Sequence, residues 1–153
     1  MKILIAVDGS ECSDVAVEEV AKRPWPADSE VRIISVAETL SLEELELPPR
    51  YREDIEVAAL HRAETIIERA KARLSDSDAR FLPIISTVVI DSPKDAIVEE
   101  AERWGADLIV VGSHGYRGPE RALLGSVSQA VATQAKCSVE IARRRHVDYD
   151  EEC

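Results

Sequence analysis

The amino-acid sequence predicts an α/β fold, a three-layer sandwich in which a parallel sheet lies between two layers of helices. Short β-branched runs of strand length alternate with helical patterns along the chain. Strands joined through helical crossovers have to run parallel in one sheet, with helices covering its faces. The runs Ile3–Val7 and Leu108–Val111 are continuously apolar rather than alternating, the pattern of central strands buried on both sides. At 153 residues, 45% of them hydrophobic and 32% charged, the chain has the size and apolar content for one core.

Residues 2 to 7 form the first predicted strand, ended by the turn signal Asp8-Gly9-Ser10. Ser10 can cap a helix in which Cys12, Ala16 and Val20 recur every fourth residue, and Pro24-Trp25-Pro26 stops it. Val31 to Ala37 is the second strand. The polar, Leu-rich stretch from Glu38 to Arg50 ends in Pro48-Pro49 and reads as a surface connection rather than a packed element. From Tyr51 to Leu74 the apolar positions 55, 59, 63, 66, 67, 70 and 74 fall on one helical stripe, until Ser75-Asp76-Ser77-Asp78 breaks it. Ile84 to Ile90 gives a third strand.

Ser92 is placed as the cap of the next helix, Pro93 sits where its missing N–H does no harm, and Ile97, Ala101 and Trp104 share a face until Gly105. Asp107 to Val111 is the fourth strand, ending at Gly112. After a Gly-rich loop, Ser126-Val127-Ser128-Gln129 reads as a capping box that opens a helix, and Ser138 to Ala142 is the last strand. Glu140 interrupts Val139 and Ile141, which places that strand at an edge. Residues 1–143 read as one domain, and 144–153 as a charged, loose tail.

Charge and cysteine content exclude several classes of function. With 19 Lys and Arg against 30 Asp and Glu, the net charge is -11, which repels nucleic acid and anionic membrane surfaces. No apolar run approaches the roughly 20 residues that cross a bilayer, and Asp8 interrupts the N-terminus before a signal peptide could form. A cytoplasmic protein with no nucleic-acid or membrane partner is expected. Cys12, Cys137 and Cys153 show neither a C-x-x-C pair nor Cys/His ligand spacing, so no zinc site or disulfide framework is implied.

Ligands of open parallel sheets bind outside the carboxyl ends of the strands. Two segments qualify: Asp8-Gly9-Ser10, and Gly112-Ser113-His114-Gly115-Tyr116-Arg117-Gly118. If the first and fourth strands are neighbours, both open on one crevice beside Val36, a geometry suited to a nucleotide. Gly112 and Gly115 let backbone approach an anion, and the amides of the helix opening at Ser126 present partial positive charge to phosphates. Ser126 and Ser128 can reach phosphate oxygens or a magnesium ion, and Asp8 can accept from an adenine amino group or a ribose hydroxyl. The same residues also have a plain structural use: the glycines mark turns, Ser126 caps its own helix, and Asp8 with Ser10 closes the first turn.

The pattern Gly112-x-x-Gly115-x9-Gly125-Ser126, preceded by Ala106-Asp107-Leu108-Ile109-Val110-Val111 and followed by Val127-Ser128, resembles the nucleotide-binding signature of universal stress proteins. The opening Ile3-Leu4-Ile5-Ala6-Val7-Asp8-Gly9-Ser10 is similar to that family's first strand and turn, so the resemblance runs from Met1 to about Arg143. It implies a five-stranded parallel sheet of order 3-2-1-4-5, ATP binding in the subgroup that keeps this glycine pattern, and a homodimer that meets along strand 138–142, and magnesium is expected on the phosphates of the bound ATP. Carried over by position, Ala6, Asp8 and Val36 line the adenine and ribose end, while Gly112 to Gly118 and Gly125 to Ser128 (with Val127) hold ribose and phosphates. Tyr116, Pro119, Ser92 and Glu140 depart from the usual pattern.

The remaining candidates read as structural. His114 stands in a turn without a carboxylate or cysteine partner in sequence reach, His61 and His146 carry less signal still, and Cys12 reads as a small core residue. Arg117, Arg121 and Arg143-Arg144-Arg145 read as solvated. No G-x-x-x-x-G-K-[ST], G-x-G-x-x-G, G-x-S-x-G or H-E-x-x-H motif is present, and the parts of an efficient phosphoryl-transfer site are missing. The expectation is therefore an ATP-binding regulatory stress protein that hydrolyses ATP slowly at most. A nucleotide-free dimeric interaction module of the same fold is the alternative. An ATP-dependent adenylating enzyme is a further one, disfavoured because Asp8-Gly9-Ser10-Glu11 lacks paired glycines.

Overall fold

A β-branched apolar run makes the first strand, β1 (Lys2–Ala6), in a computed structural model that describes residues 1–38, 47–77, 79, 82–114 and 124–144. The helix α1 (Glu11–Lys22) follows, then β2 (Glu30–Ala37), α2 (Pro49–Ser75), β3 (Ile84–Ile90), α3 (Pro93–Trp104), β4 (Leu108–Gly112), α4 (Ser126–Gln134) and β5 (Ser138–Ala142). All five strands are parallel in the order β3-β2-β1-β4-β5, as the resemblance implies.

The two central neighbours are the continuously apolar strands. In β1, Ile3, Leu4 and Ile5 are all fully buried although alternate side chains face opposite ways. Ile3 and Ile5 join Val17, Val20, Ile67 and Leu74 under α1 and α2, and Leu4 joins Ile34, Ile97, Ile109 and Val131 under α3 and α4. Each such side chain contributes about 1.5–3 kcal/mol when removed from water, so these two clusters hold the three layers together.

Local chemistry sets the helix ends. Ser10 caps α1 by accepting from the Ser13 amide at 3.2 Å, and Glu11 and Asp14 add negative charge in the first turn. Gly105 ends α3 in the left-handed conformation at φ 74°, and its amide donates to Ala101. Ser92 holds the cap position of α3, but its side chain makes no capping bond, and its own amide donates to Asp91 Oδ1 at 2.7 Å.

Two expectations need correction. The helix α4 is capped by Gly125 and not by Ser126, which stands one residue inside and is exposed; among the described residues no side chain caps this helix, so the Ser126–Gln129 capping box does not form. The stripe of α2 is only partly in the core. Ala63, Ile67, Ala70 and Leu74 are buried, whereas Tyr51, Ile55 and Val57 are exposed. The physical reason is length: 27 residues of helix span about 40 Å, and the eight residues of β2 about 26 Å, so the first turns of α2 overshoot the carboxyl ends of the strands. Of the connection read from Glu38 to Arg50, residues 39–46 lie outside the described residues, as do 145–153 of the tail.

Buried charge is concentrated at the amino end of the sheet. Glu100 on α3 is 3% exposed and accepts from Arg32 of β2 and from Arg103, whose Nε lies 3.0 Å away. The Arg32 guanidinium also stacks 4.6 Å over the Trp104 ring, and Lys2 donates to the Trp104 carbonyl and, through its amide, to Asp107. Among the described residues no helix is long and apolar enough to cross a membrane.

Candidate functional site

The order of the sheet makes β1 and β4 neighbours, with Ile5 opposite Val110, so the chain leaves both strands at the same level. On the other side β1 pairs with β2, and the Val7 amide still donates to Ile34 beyond the last paired residue. The ends of three strands thus surround one place at the carboxyl edge.

The first turn is built by its own side chains. Asp8 Oδ1 accepts from the Ser10 amide at 2.9 Å, Gly9 takes the left-handed φ of 82°, and the Ser13 hydroxyl donates to Ser10 at 3.0 Å. This turn starts α1 against the end of β4. The approach is close enough that a Cβ on Gly112 would lie 2.5 Å from the carbonyl carbon of Cys12 and 2.8 Å from the Ser13 amide nitrogen. Gly112 was expected to clear room for an anion. What it clears room for is the backbone of α1, which brings the helix's amino end beside the second loop.

Ser113 is the hinge between the two segments. It is buried, its amide donates to Ala142 of β5 at 3.1 Å, and its hydroxyl lies 3.7 Å from Cys12 Sγ and 3.1 Å from His114 Nδ1. Its carbonyl accepts twice, from the Gly125 amide at 2.7 Å and from the Ser128 hydroxyl at 2.9 Å. The Ser128 hydroxyl also approaches the Gly125 carbonyl at 3.0 Å. Ser113 and Gly125 therefore clamp the two ends of the Gly-rich loop together, and the start of α4 is fixed against the end of β4.

Of the residues predicted for the site, Ala6, Val36 and Val127 are half-buried against the cluster under α3 and α4, Asp8 and Ser126 are exposed, and His114 is half-buried. Gly115, Tyr116, Arg117 and Gly118 lie outside the described residues. Ser128 corrects its predicted role: it is 3% exposed and braces the clamp instead of offering an open donor. Cys12 is half-buried beside Ser113, not in the core. Among the described residues no group of three or more His, Cys, Asp or Glu is placed to hold a metal. At the opposite end of the sheet Cys137 lines a groove with Val98 and Ala106, and burial pushes its thiol above the usual range.

Sequence reasoning missed the clamp residue Ser113 as a structural partner of Gly125. The signal that could have found it is the small, polar residue directly after an apolar strand, where backbone has to be met by backbone.

Known proteins share this fold. The solved structure of the hypothetical protein MJ0577 superposes with a TM-score of 0.83 at 26% identity, over 95% of this chain and 96% of that one. A universal stress protein solved in complex with cAMP gives a TM-score of 0.65 at 26% identity, over 94% of this chain and 96% of that one. Universal stress protein A homolog 2 of Coxiella burnetii is 35% identical across 142 residues, which is 90% of this chain and 91% of the relative. The profile of the universal stress protein family matches residues 1–143, and with the sheet order and strand-end geometry described above, the chain belongs to that family.

Proposed function

We propose that the crevice at the ends of β1, β2 and β4 binds an adenine nucleotide, ATP with magnesium on its phosphates, and that the protein is a cytoplasmic regulatory stress protein whose state the nucleotide sets. The observation that carries this reading is the convergence of two turns at neighbouring strand ends, with the amino ends of α1 and α4 both brought to that place by backbone contacts. Helix amino ends and closely approaching backbone suit phosphates. Ala6 and Val36 offer half-buried apolar surface to the base, Asp8 its carboxylate to the ribose or the adenine amine, and residues 112–118 with 125–128 hold ribose and phosphates. The cAMP bound by a similar protein supports the choice of adenine.

Magnesium fits this reading as an ion carried by the nucleotide, because the described residues assemble no metal-ligating group and a hard cation is satisfied by phosphate oxygens and water. What the chain itself does is bind and orient. It places no Lys-based phosphate loop or metal-holding acid pair in the sequence, so hydrolysis is slow at most. The protein is read as a homodimer joined along Ser138–Ala142, the strand at one edge of the sheet.

Isothermal titration of metabolite-free protein with Mg-ATP tests the assignment, with saturable heat as the expected result. Gly115→Val, which adds a side chain within the motif, should abolish that heat while the far-ultraviolet spectrum stays unchanged. No heat from the parent protein, together with no nucleotide released on denaturing fresh preparations, would leave a nucleotide-free interaction module as the answer.

A further inference from the structure

We infer that Arg23 licenses β5 to pair with a second copy of this chain, by neutralising a glutamate that would otherwise bar that edge from self-association. The inference rests on the edge-pairing reading above and names what controls it. Among the described residues the strand β5 pairs with β4 alone, which leaves its outer edge for a further strand. Antiparallel pairing of Ser138–Ala142 with its own copy at full overlap sets 139 across from 141 and 140 across from 140, each pair on one face.

On the α4 face this register is favourable, since half-buried Val139 meets half-buried Ile141 of the second copy. On the α1 face it sets Glu140 against Glu140 of the second copy, and like charges directly opposite are destabilising. A charge on an edge strand is one of the devices that keep sheets from joining.

Arg23, one residue beyond the end of α1, removes that obstacle. Its guanidinium forms a two-pronged ion pair with Glu140, with Nη1 to Oε2 at 2.6 Å. The fork is held in place from the other sides: Glu19 lies 3.5 Å away, and the Trp25 ring lies 5.6 Å beneath it, itself fixed by a 2.8 Å bond from Nε1 to Val20. The contact raises the pKa of Arg23 further, chiefly through the Glu140 hydrogen bond. Across the pairing axis the charges then run Arg23, Glu140, Glu140 of the second copy and Arg23 of the second copy, with each carboxylate paired to the arginine of its own copy. The facing carboxylates are thereby each compensated within their own copy, and the match of Val139 to Ile141 in both directions is why the occupant is a second copy.

Sedimentation equilibrium of the full chain, with Arg23→Gln, Glu140→Gln and the double variant, tests this. Arg23→Gln should raise the dimer dissociation constant about tenfold or more, because two carboxylates then face each other unpaired. Glu140→Gln should dimerise at least as well as the parent, and the double variant should recover to within about threefold of Glu140→Gln. A bridge that only fastened β5 to α1 would give a double variant as weak as Arg23→Gln, and that result overturns the inference. So does loss of the dimer in Glu140→Gln, an arm that stands even if Arg23→Gln fails to fold. A dimer left unchanged by all three variants moves the contact elsewhere, to β3 with its exposed Ile85 and Ile90, and also overturns it. A parent chain that is monomeric throughout removes the edge-pairing reading itself.

Discussion

The two ends of the sheet are built by opposite means. At the amino end, long charged side chains do the fastening: Arg32 and Arg103 on buried Glu100, and Lys2 on the Trp104 carbonyl. At the carboxyl end the fastening is backbone to backbone, through Gly112 under α1 and through the Gly125 amide on the Ser113 carbonyl. The end fastened by arginines keeps only the groove that Cys137 lines with Val98 and Ala106. The end closed by small residues keeps the amino ends of α1 and α4 close together, and that is the end where we propose that a nucleotide binds.

The contrast can be broken most severely at Gly112. Gly112→Ala should destabilise the fold by about 3 kcal/mol, because the added carbon meets the α1 backbone, which cannot give as a side-chain tip can. A urea midpoint unchanged from the parent would mean that α1 sits further from β4 than described. At the other end Arg32→Met should cost about 2 kcal/mol, since Glu100 keeps only Arg103, which is largely exposed. Arg32→Met combined with Glu100→Met should recover most of that loss in thermal melting, as an apolar pair needs no neutralising partner.

Smaller effects sharpen the same comparison. Ser10→Ala removes the cap of α1 and should lower stability by about 1 kcal/mol in chemical denaturation, with a matching loss of nucleotide affinity if the helix's amino end faces the ligand. At the amino end, the raised pKa of Cys137 keeps its thiol protonated at neutral pH. In a Cys12→Ser, Cys153→Ser background, its alkylation should therefore run slower than that of the unfolded chain at pH 8, and the rate should keep climbing with pH beyond the point where the unfolded thiol levels off.

How much of this was readable beforehand follows from range. The five strands, the long helix ending near Leu74 and the stop at Gly105 rest on periodicity and on residues a few positions apart, and all were legible. The capping box at Ser126 was also a local reading, and it failed because Gly125 accepts the first helical bond from the Gln129 amide one residue earlier than the motif suggests. Gly112 was singled out for the wrong partner, since only the fold shows that α1 occupies the space its missing side chain leaves. The Arg23–Glu140 and Arg32–Glu100 pairs join residues 117 and 68 positions apart, beyond the reach of any spacing rule. The overshoot of α2 was legible in principle, because a 27-residue helix cannot be matched by one strand, but a stripe of apolar positions gives no sign of where the neighbouring layer stops.

The knot tied by Ser113 and Gly125 carries a consequence for divergence. Because those two residues grip each other across the base of the loop, the intervening segment can be lengthened, shortened or rewritten without shifting the register of β4 or the origin of α4. If the segment between them holds the ligand as proposed, its preference is uncoupled from folding, and a lineage can retune what it binds by editing that segment while the scaffold stays as it is.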